Sequence, residues 1–473
     1  MAKPENKEIQ VEEIKSVKKP DILKRMAEAP AEALDKTIER SEKFAKTIPT
    51  GHVVQKTKDF WHTLGPGLTT GASDDDPSGI ATYSQTGAQY GFRFLWLSAF
   101  TFPLMAVVQE MCARIGFVTG RGLAGNIRKH FSRKLLYVAT MMLFAANAFN
   151  IGADLGAMAQ AAKLLRPSLQ INHLLIGFAV ASMLMQILTP YARYARYLKW
   201  LALVLLAYIY SALLAQLNWS EVGRAVVIPK LAFNKDELLL VCAILGTTIS
   251  PYLFFWQTSQ EVEDKIALGQ KSIVSRQGAS KQEIKNMRID VWFGMLLSNV
   301  VMFFIIAACG GVLHKAGITN ITTAAQAAEA LRPFAGDKAT LLFAIGIICT
   351  GLLAIPVLAG SSSYAIAESL AWKGGLNRKL KQAYAFYGVI MISMLVGLGM
   401  NFIGLDPIKA LIYSAIGNGI VAPLILAFIV LLSSNKKVMG EEWVNKPLVT
   451  AIGWFVTILM AVAGVAAIGA LFF

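Results

Sequence analysis

Gly65–Pro66–Gly67–Leu68–Thr69–Thr70–Gly71–Ala72–Ser73–Asp74–Asp75–Asp76–Pro77–Ser78–Gly79 lies inside a long apolar segment, yet carries three consecutive carboxylates, two prolines and four glycines. No ordinary membrane helix carries this. An ionised Asp at the centre of a span costs roughly 2.5–3.5 kcal/mol, so three facing lipid would cost about 9 kcal/mol. Pro77 removes an N–H donor and clashes with the preceding turn. Irregular backbone at membrane depth survives only where it is buried in protein or lines a cavity. The stretch therefore predicts a helix broken near Asp76–Gly79 and facing something cationic. The bland alternative is a surface loop between two short apolar segments.

The rest of the chain sets the frame for that break. Of 473 residues, 55% are apolar and 16% are charged, with a mean hydropathy of +0.51. A soluble protein would carry about 25% charged residues. Apolar runs of membrane-spanning length recur, so an all-α polytopic membrane protein is expected. The net charge of +15 would suggest nucleic acid in a soluble chain, but basic cytoplasmic loops account for it here, and no nucleic-acid partner is expected. Cys112, Cys242, Cys309 and Cys349 fall in separate apolar segments, without metal or disulfide spacing, and read as small core residues. Residues 1–58 are polar, rich in Lys and Glu and broken by Pro4, Pro20, Pro30 and Pro49. They read as a cytoplasmic tail, partly helical around Asp21–Lys46, with no cleavable leader.

Residues 59–473 read as one transporter domain of eleven spans, at about 64–90, 94–118, 135–162, 172–190, 198–216, 238–262, 290–313, 339–370, 382–402, 408–432 and 448–472. The five connections on one side carry 21 Lys and Arg, against 9 on the other. That bias predicts an integral plasma (inner) membrane protein with its N-terminus in the cytoplasm.

The sixth span, Cys242–Ala243–Ile244–Leu245–Gly246–Thr247–Thr248–Ile249–Ser250–Pro251–Tyr252, is interrupted by a proline in the same rank within its half as the first. Spans one to five and six to ten would each begin with a discontinuous helix. Five is odd, so the second set inserts in the opposite orientation. That is the pattern of inverted repeats, with a substrate bound at midplane between the two breaks. Two unrelated proline kinks would be the simpler explanation. Freed carbonyls, carboxylates, Ser and Thr are hard ligands, and neither break contains Cys, His or Met. Such oxygen sites suit Mg²⁺ or Ca²⁺ better than soft-ligand metals.

Over most of residues 60–440 the chain resembles the Nramp family of divalent-metal transporters. The likeness rests on Gly65–Pro66–Gly67, on Asp76–Pro77–Ser78–Gly79 in place of an Asp-Pro-Gly-Asn motif, and on Gly246–Thr247–Thr248–Ile249–Ser250–Pro251–Tyr252 in place of a Met-Pro-His motif. Asp154–Leu155 and Lys437–Val438–Met439–Gly440 also fit. The resemblance implies a LeuT-type fold, a 5+5 inverted repeat with an eleventh transmembrane helix. It implies a metal site at Asp76, Gly79, Thr247 (through its carbonyl) and Ser250. The family's Asn ligand falls on Gly79 and its Met ligand on Ser250. Losing the Met sulfur removes the preference for transition metals, and two shortened side chains leave room for water. This resembles the Nramp-related magnesium transporter branch, whose members carry Mg²⁺ and also Mn²⁺.

The family's proton relay is largely missing. Its two histidines on the sixth helix become Tyr252 and Gln257, and the second acid in span three becomes Ala157. Asp154 is either a relay remnant or a structural acceptor. Asp74 and Asp75 either attract cations in a vestibule or cap the break. Thr248, Tyr252 and Asn418 are candidates for the hydration shell, Asn418 equally for an interhelical hydrogen bond. Glu261, Glu263 and Asp264 are placed at the cytoplasmic mouth or, equally, on a solvated charged helix end, and Glu110 and Glu368 are expected to pair with Arg or Lys. The expectation is a uniporter-like secondary transporter and not an enzyme. It would need no cofactor, would act as a monomer, and would have divalent metal and membrane lipid as partners. The alternatives are a proton-coupled manganese or iron transporter, an amino-acid carrier on the same fold, and an intramembrane Mg-dependent transferase. The last lacks a second spaced acidic motif.

Overall fold

The computed structural model describes residues 65–188, 202–232 and 234–472. The expected tail at 1–58 lies outside the described residues. Among those described there are helices and connections and no strand.

The first span is two helices, α1 (Pro66–Asp74) and α2 (Pro77–Tyr90), followed by α3 (Trp96–Thr119), α4 (Arg133–Leu165), α5 (Ile171–Leu188) and α6 (Leu206–Leu214). The sixth span is again divided, into α7 (Lys235–Thr248) and α8 (Pro251–Ala267). Then come α9 (Lys281–Cys309), α10 (Ala339–Ser369), α11 (Tyr384–Met400), α12 (Pro407–Ser433) and α13 (Pro447–Phe472). Eight helical stretches among the described residues are long and apolar enough to cross a membrane, α7 and α8 counting as one. The first span is not among them: its halves are 9 and 14 residues long, and any stretch of spanning length across them takes in all three carboxylates. The helix α11, at 17 residues, is also short, and the fifth span enters the described residues only at Ala202.

The seventh span starts earlier than expected. Its helix begins at Lys281 rather than near residue 290. Ser280 and Glu283 form a reciprocal capping box there, which satisfies two first-turn donors and lets the helix run on beyond its apolar part.

Both breaks fall where the sequence suggests, but the first sits slightly upstream. The backbone leaves the helix at Asp75 and Asp76, so Pro77 and Gly79 lie inside α2 rather than in the gap. Proline alone does not explain this, since Pro103, Pro356 and Pro423 stand inside continuous helices. At the two breaks the proline takes the first position of the second half, where no N–H is needed. The polar residue before it repairs the local backbone. Asp76 caps α2 by accepting from Gly79 N at 2.7 Å. Ser250 acts on the other side of its break: its hydroxyl donates to the freed carbonyls of Gly246 (2.9 Å) and Thr247 (2.6 Å).

Small residues bring the broken helices close to their neighbours. The α1 helix packs along α9, and α7 along α12, while α4 runs beside α10 and α12. A Cβ on Gly71 would overlap Gly294 O, and one on Gly67 would lie 2.6 Å from Val291 N. The two backbones thus touch at a small-xxx-small stripe, the contact that drives helix association in lipid. The divided sixth span is the most enclosed of the apolar stretches, whereas α5 and α13 keep most of their surface outward. The breaks therefore lie at the centre of the bundle.

Candidate metal-binding site

The three carboxylates at the first break are 0%, 1% and 1% exposed at Asp74, Asp75 and Asp76, so none of them reaches solvent. Asp74 Oδ2 accepts from Ser298 Oγ of α9 at 2.6 Å, and Asp75 Oδ1 lies 3.5 Å from the same hydroxyl. Asp76 is held more fully: Oδ1 accepts from Ser78 Oγ and Gly79 N, both at 2.7 Å, and Oδ2 from Asn150 Nδ2 at 2.8 Å. The same amide lies 3.4 Å from Asp154 Oδ2. A polar chain Asp76–Asn150–Asp154 thus runs from the break into α4.

The second break meets the first directly. A Cβ on Gly79 would lie 3.1 Å from Thr247 Oγ1 and 3.3 Å from Asp74 O, so only a residue without a side chain fits comfortably between them. The Thr247 carbonyl is turned toward the gap's own Ser250 hydroxyl. Tyr252 OH donates to Ser73 O at 3.1 Å, joining α8 to the end of α1. Thr248 Oγ1 donates to Ile244 O at 2.6 Å and stands 3.3 Å from Tyr83 OH. The sequence-derived residues Asp74, Asp75, Asp76, Gly79, Thr247, Thr248, Ser250 and Tyr252 are therefore gathered at one place. Asn418 is fully buried on α12, and neither side-chain atom has a hydrogen-bond partner. It makes no hydrogen bond to either break. The interhelical hydrogen bond weighed for it is not formed.

Four residues were missed in the sequence. Asn150 stands one helical turn before Asp154, and Ser298 is one of two adjacent polar residues in an apolar run; each was visible as polar, but its partner was not. Asp290 was read only as the start of a span. Its carboxylate accepts from three backbone donors at the start of α1: Gly65 N (2.8 Å), Gly67 N (2.6 Å) and Leu68 N (3.0 Å). The fourth is Met302 of α9, whose sulfur lies 4.0 Å from Thr248 Oγ1. A thioether is therefore near the second break, though on a neighbouring helix.

Other acids divide. Glu110 pairs with Arg114 (3.0 Å) and Arg288 (2.8 Å), as expected. Glu368 instead accepts from Gly125 N at 2.9 Å. Glu261 and Glu263 are buried rather than solvated, and accept from Gln257 and from Tyr364 OH.

Chemically, the arrangement is an oxygen-rich break without a protein counter-charge. Among the described residues, none of Asp74, Asp75, Asp76 and Asp154 forms a salt bridge. Asp74 Oδ1 and Asp154 Oδ1 are buried without a hydrogen-bond partner. Buried charges call for a cation or a full set of hydrogen bonds. Among the described residues, no three His, Cys, Asp or Glu side chains converge as a ready-made cage. Asp74 and Asp75 lie at the Ser298 hydroxyl instead, and Asp76 turns to Asn150.

Residues 67–470 match the family described as Natural resistance-associated macrophage protein-like, Nramp. The manganese transporter of Eremococcus coleocola, in complex with an aromatic bis-isothiourea substituted compound, is similar at TM-score 0.67 and 18% identity, over 89% of each chain. A mutant of that transporter matches at 0.65 and 17% identity, over 88% of this chain and 87% of the other. Mhp1, a nucleobase-cation-symport-1 family transporter in a closed conformation with bromovinylhydantoin bound, matches at 0.53 and 14% identity, over 86% of this chain and 91% of the other. At these identities the solved structures speak for the fold, which is LeuT-type. The family match covers most of the chain, and with it the chain belongs to the Nramp family: it is an integral membrane transporter, not an enzyme, and divalent metal is its cargo rather than its cofactor.

Proposed function

We propose that this transporter moves Mg²⁺, and Mn²⁺ with it, as a partly hydrated ion held between the breaks of α1/α2 and α7/α8, without coupling to protons. Asp76 is the principal ligand. The Thr247 carbonyl and the Ser250 hydroxyl supply further oxygen contacts, and Gly79 supplies room. Asp74, Asp75, Thr248, Tyr252 and Asn418 orient the water around the ion. The observation that carries this reading is the set of four buried carboxylates with no cationic partner, set beside a break whose own groups are all oxygen. Mg²⁺ sheds water reluctantly and is usually held through one or two carboxylates with several waters retained. Serine at position 250 and glycine at position 79 suit that better than a dehydrated transition metal. This agrees with the magnesium branch that the sequence resembles.

The driving force follows from charge. Two charges moving through 100 mV gain about 4.6 kcal/mol, enough to draw Mg²⁺ inward unaided. The ion would alternate between the two sides of a plasma-membrane monomer with a cytoplasmic N-terminus, its outward helices in contact with lipid. The basic bias of one set of connections supports that orientation.

A proton-coupled reading has one observation in its favour, the Asp76–Asn150–Asp154 chain leading away from the site. Proteoliposomes separate the two. Mg²⁺ influx is expected to grow with an inside-negative potential while a trapped pH dye stays flat. Acidification that tracks Mg²⁺ influx, and that disappears in Asp154→Asn, would replace uniport with coupling.

A further inference from the structure

A cavity of about 650 Å³ lies away from the breaks. It is lined from three connections: after α3 (Arg121, Arg128), after α8 (Lys271, Arg276) and after α10 (Lys373, Arg378). These follow the second, sixth and eighth spans, so an eleven-span topology puts all three on one side, the basic one. Six cationic side chains thus face one space.

Their charge is met only in part by protein. Among the described residues, none of the six forms a salt bridge. Arg121 Nε and Arg128 Nε are buried without a hydrogen-bond partner. Arg276, 8% exposed, donates to the carbonyls of Gly120, Gln270 and Lys271, which fix its guanidinium without neutralising it. Arg378 Nε donates to Gly374 O. The two acids in the wall, Glu263 and Glu368, accept from Tyr364 OH and Gly125 N, and against six cations they leave an excess of four positive charges. Guanidiniums drawn partly out of water with too few counter-ions are costly, and their planar fork matches phosphoryl oxygens.

We infer that this cavity binds a phosphate-bearing anion, through Arg121, Arg128, Arg276 and Arg378. The volume is that of a headgroup or small-molecule site. The exposed Trp372 on its wall suits the membrane–water boundary, where anionic headgroups meet basic pockets.

The test uses the full-length protein in detergent and follows its thermal midpoint. The probes are dioctanoyl-phosphatidylglycerol, dioctanoyl-phosphatidylcholine, inorganic phosphate and ATP. Phosphatidylglycerol is expected to raise the midpoint by at least about 2 °C and phosphatidylcholine to leave it unmoved. A rise with phosphatidylglycerol alone identifies a lipid headgroup as the source. A rise with phosphate or ATP identifies a soluble one. The gain should vanish in Arg121→Gln/Arg378→Gln and shrink in the exposed-lysine variant Lys373→Gln, which keeps all four guanidiniums. No rise with any anionic probe overturns the inference. So does a rise that persists unchanged in the double arginine variant, or one that phosphatidylcholine produces equally.

Discussion

Replacing Asp76 tests site and scaffold at once, and the two obvious substitutions should separate. Asp76 accepts three hydrogen bonds, from Gly79 N, Ser78 Oγ and Asn150 Nδ2, at 2.7, 2.7 and 2.8 Å. Asp76→Ala removes the cap of α2, which costs about 0.5–2 kcal/mol. It also leaves the buried Asn150 amide without its main acceptor, about 1–3 kcal/mol more. The alanine variant should therefore lose about 1.5–5 kcal/mol of stability as well as transport. Asp76→Asn removes only the charge. Asn is as good a cap as Asp, so the bonds to Ser78 and Gly79 survive. The amide brought in opposite Asn150 faces a donor, but Asn150 Oδ1 has no partner and a turn of its amide restores the contact. The asparagine variant should stay within about 1 kcal/mol of the parent in stability. Yet it loses a charged contact to the ion worth about 1.5–3 kcal/mol, or roughly 10- to 150-fold in apparent affinity. Mg²⁺ influx into dye-loaded proteoliposomes and the thermal midpoint of the same preparation read the two effects. Parent-like influx in Asp76→Asn would refute the ligand role. An equal drop in midpoint for both variants would show that the carboxylate is structural.

Three further outcomes follow from the geometry. Gly71→Ala places a methyl on Gly294 O and should cost about 1–3 kcal/mol, seen as a lowered thermal midpoint, while Gly223→Ala, with open space around it, should not move it. Asp290→Asn keeps one acceptor oxygen for three backbone donors and should speed hydrogen exchange across Pro66–Asp74, with about 2–3 kcal/mol lost; unchanged protection there would mean that α1 is anchored elsewhere. Gly79→Asn combined with Ser250→Met should shift competition assays from Mg²⁺ toward Mn²⁺ and Cd²⁺. An unaltered metal order would count against both positions as part of the ion's surroundings.

Much of the fold was legible because membrane spans announce themselves. Lipid satisfies no backbone group, so apolar length, proline and stray charge each carry meaning along the chain. That is why α10 and α12 fall within a few residues of expectation, and why both breaks could be located. The ends were less legible. The capping box at Ser280 extends α9 beyond its apolar stretch, and Asp76 as cap shifts the first break upstream of Pro77. Both are local side-chain choices that hydropathy does not register.

The site divides along the same line. Sequence alone determined which residues meet at the two breaks, because the acids and hydroxyls stand beside the prolines that open the helices. Tertiary structure alone decided who holds them. Ser298 on Asp74, Asn150 on Asp76, Asp290 under the start of α1, and the Met302 sulfur near Thr248 all come from helices 54 or more residues away. A polar residue in an apolar run advertises a partner but not which one. The choice is made by helix packing, where stripes such as Gly67–Gly71 against Gly294 set the distance at which two side chains can meet.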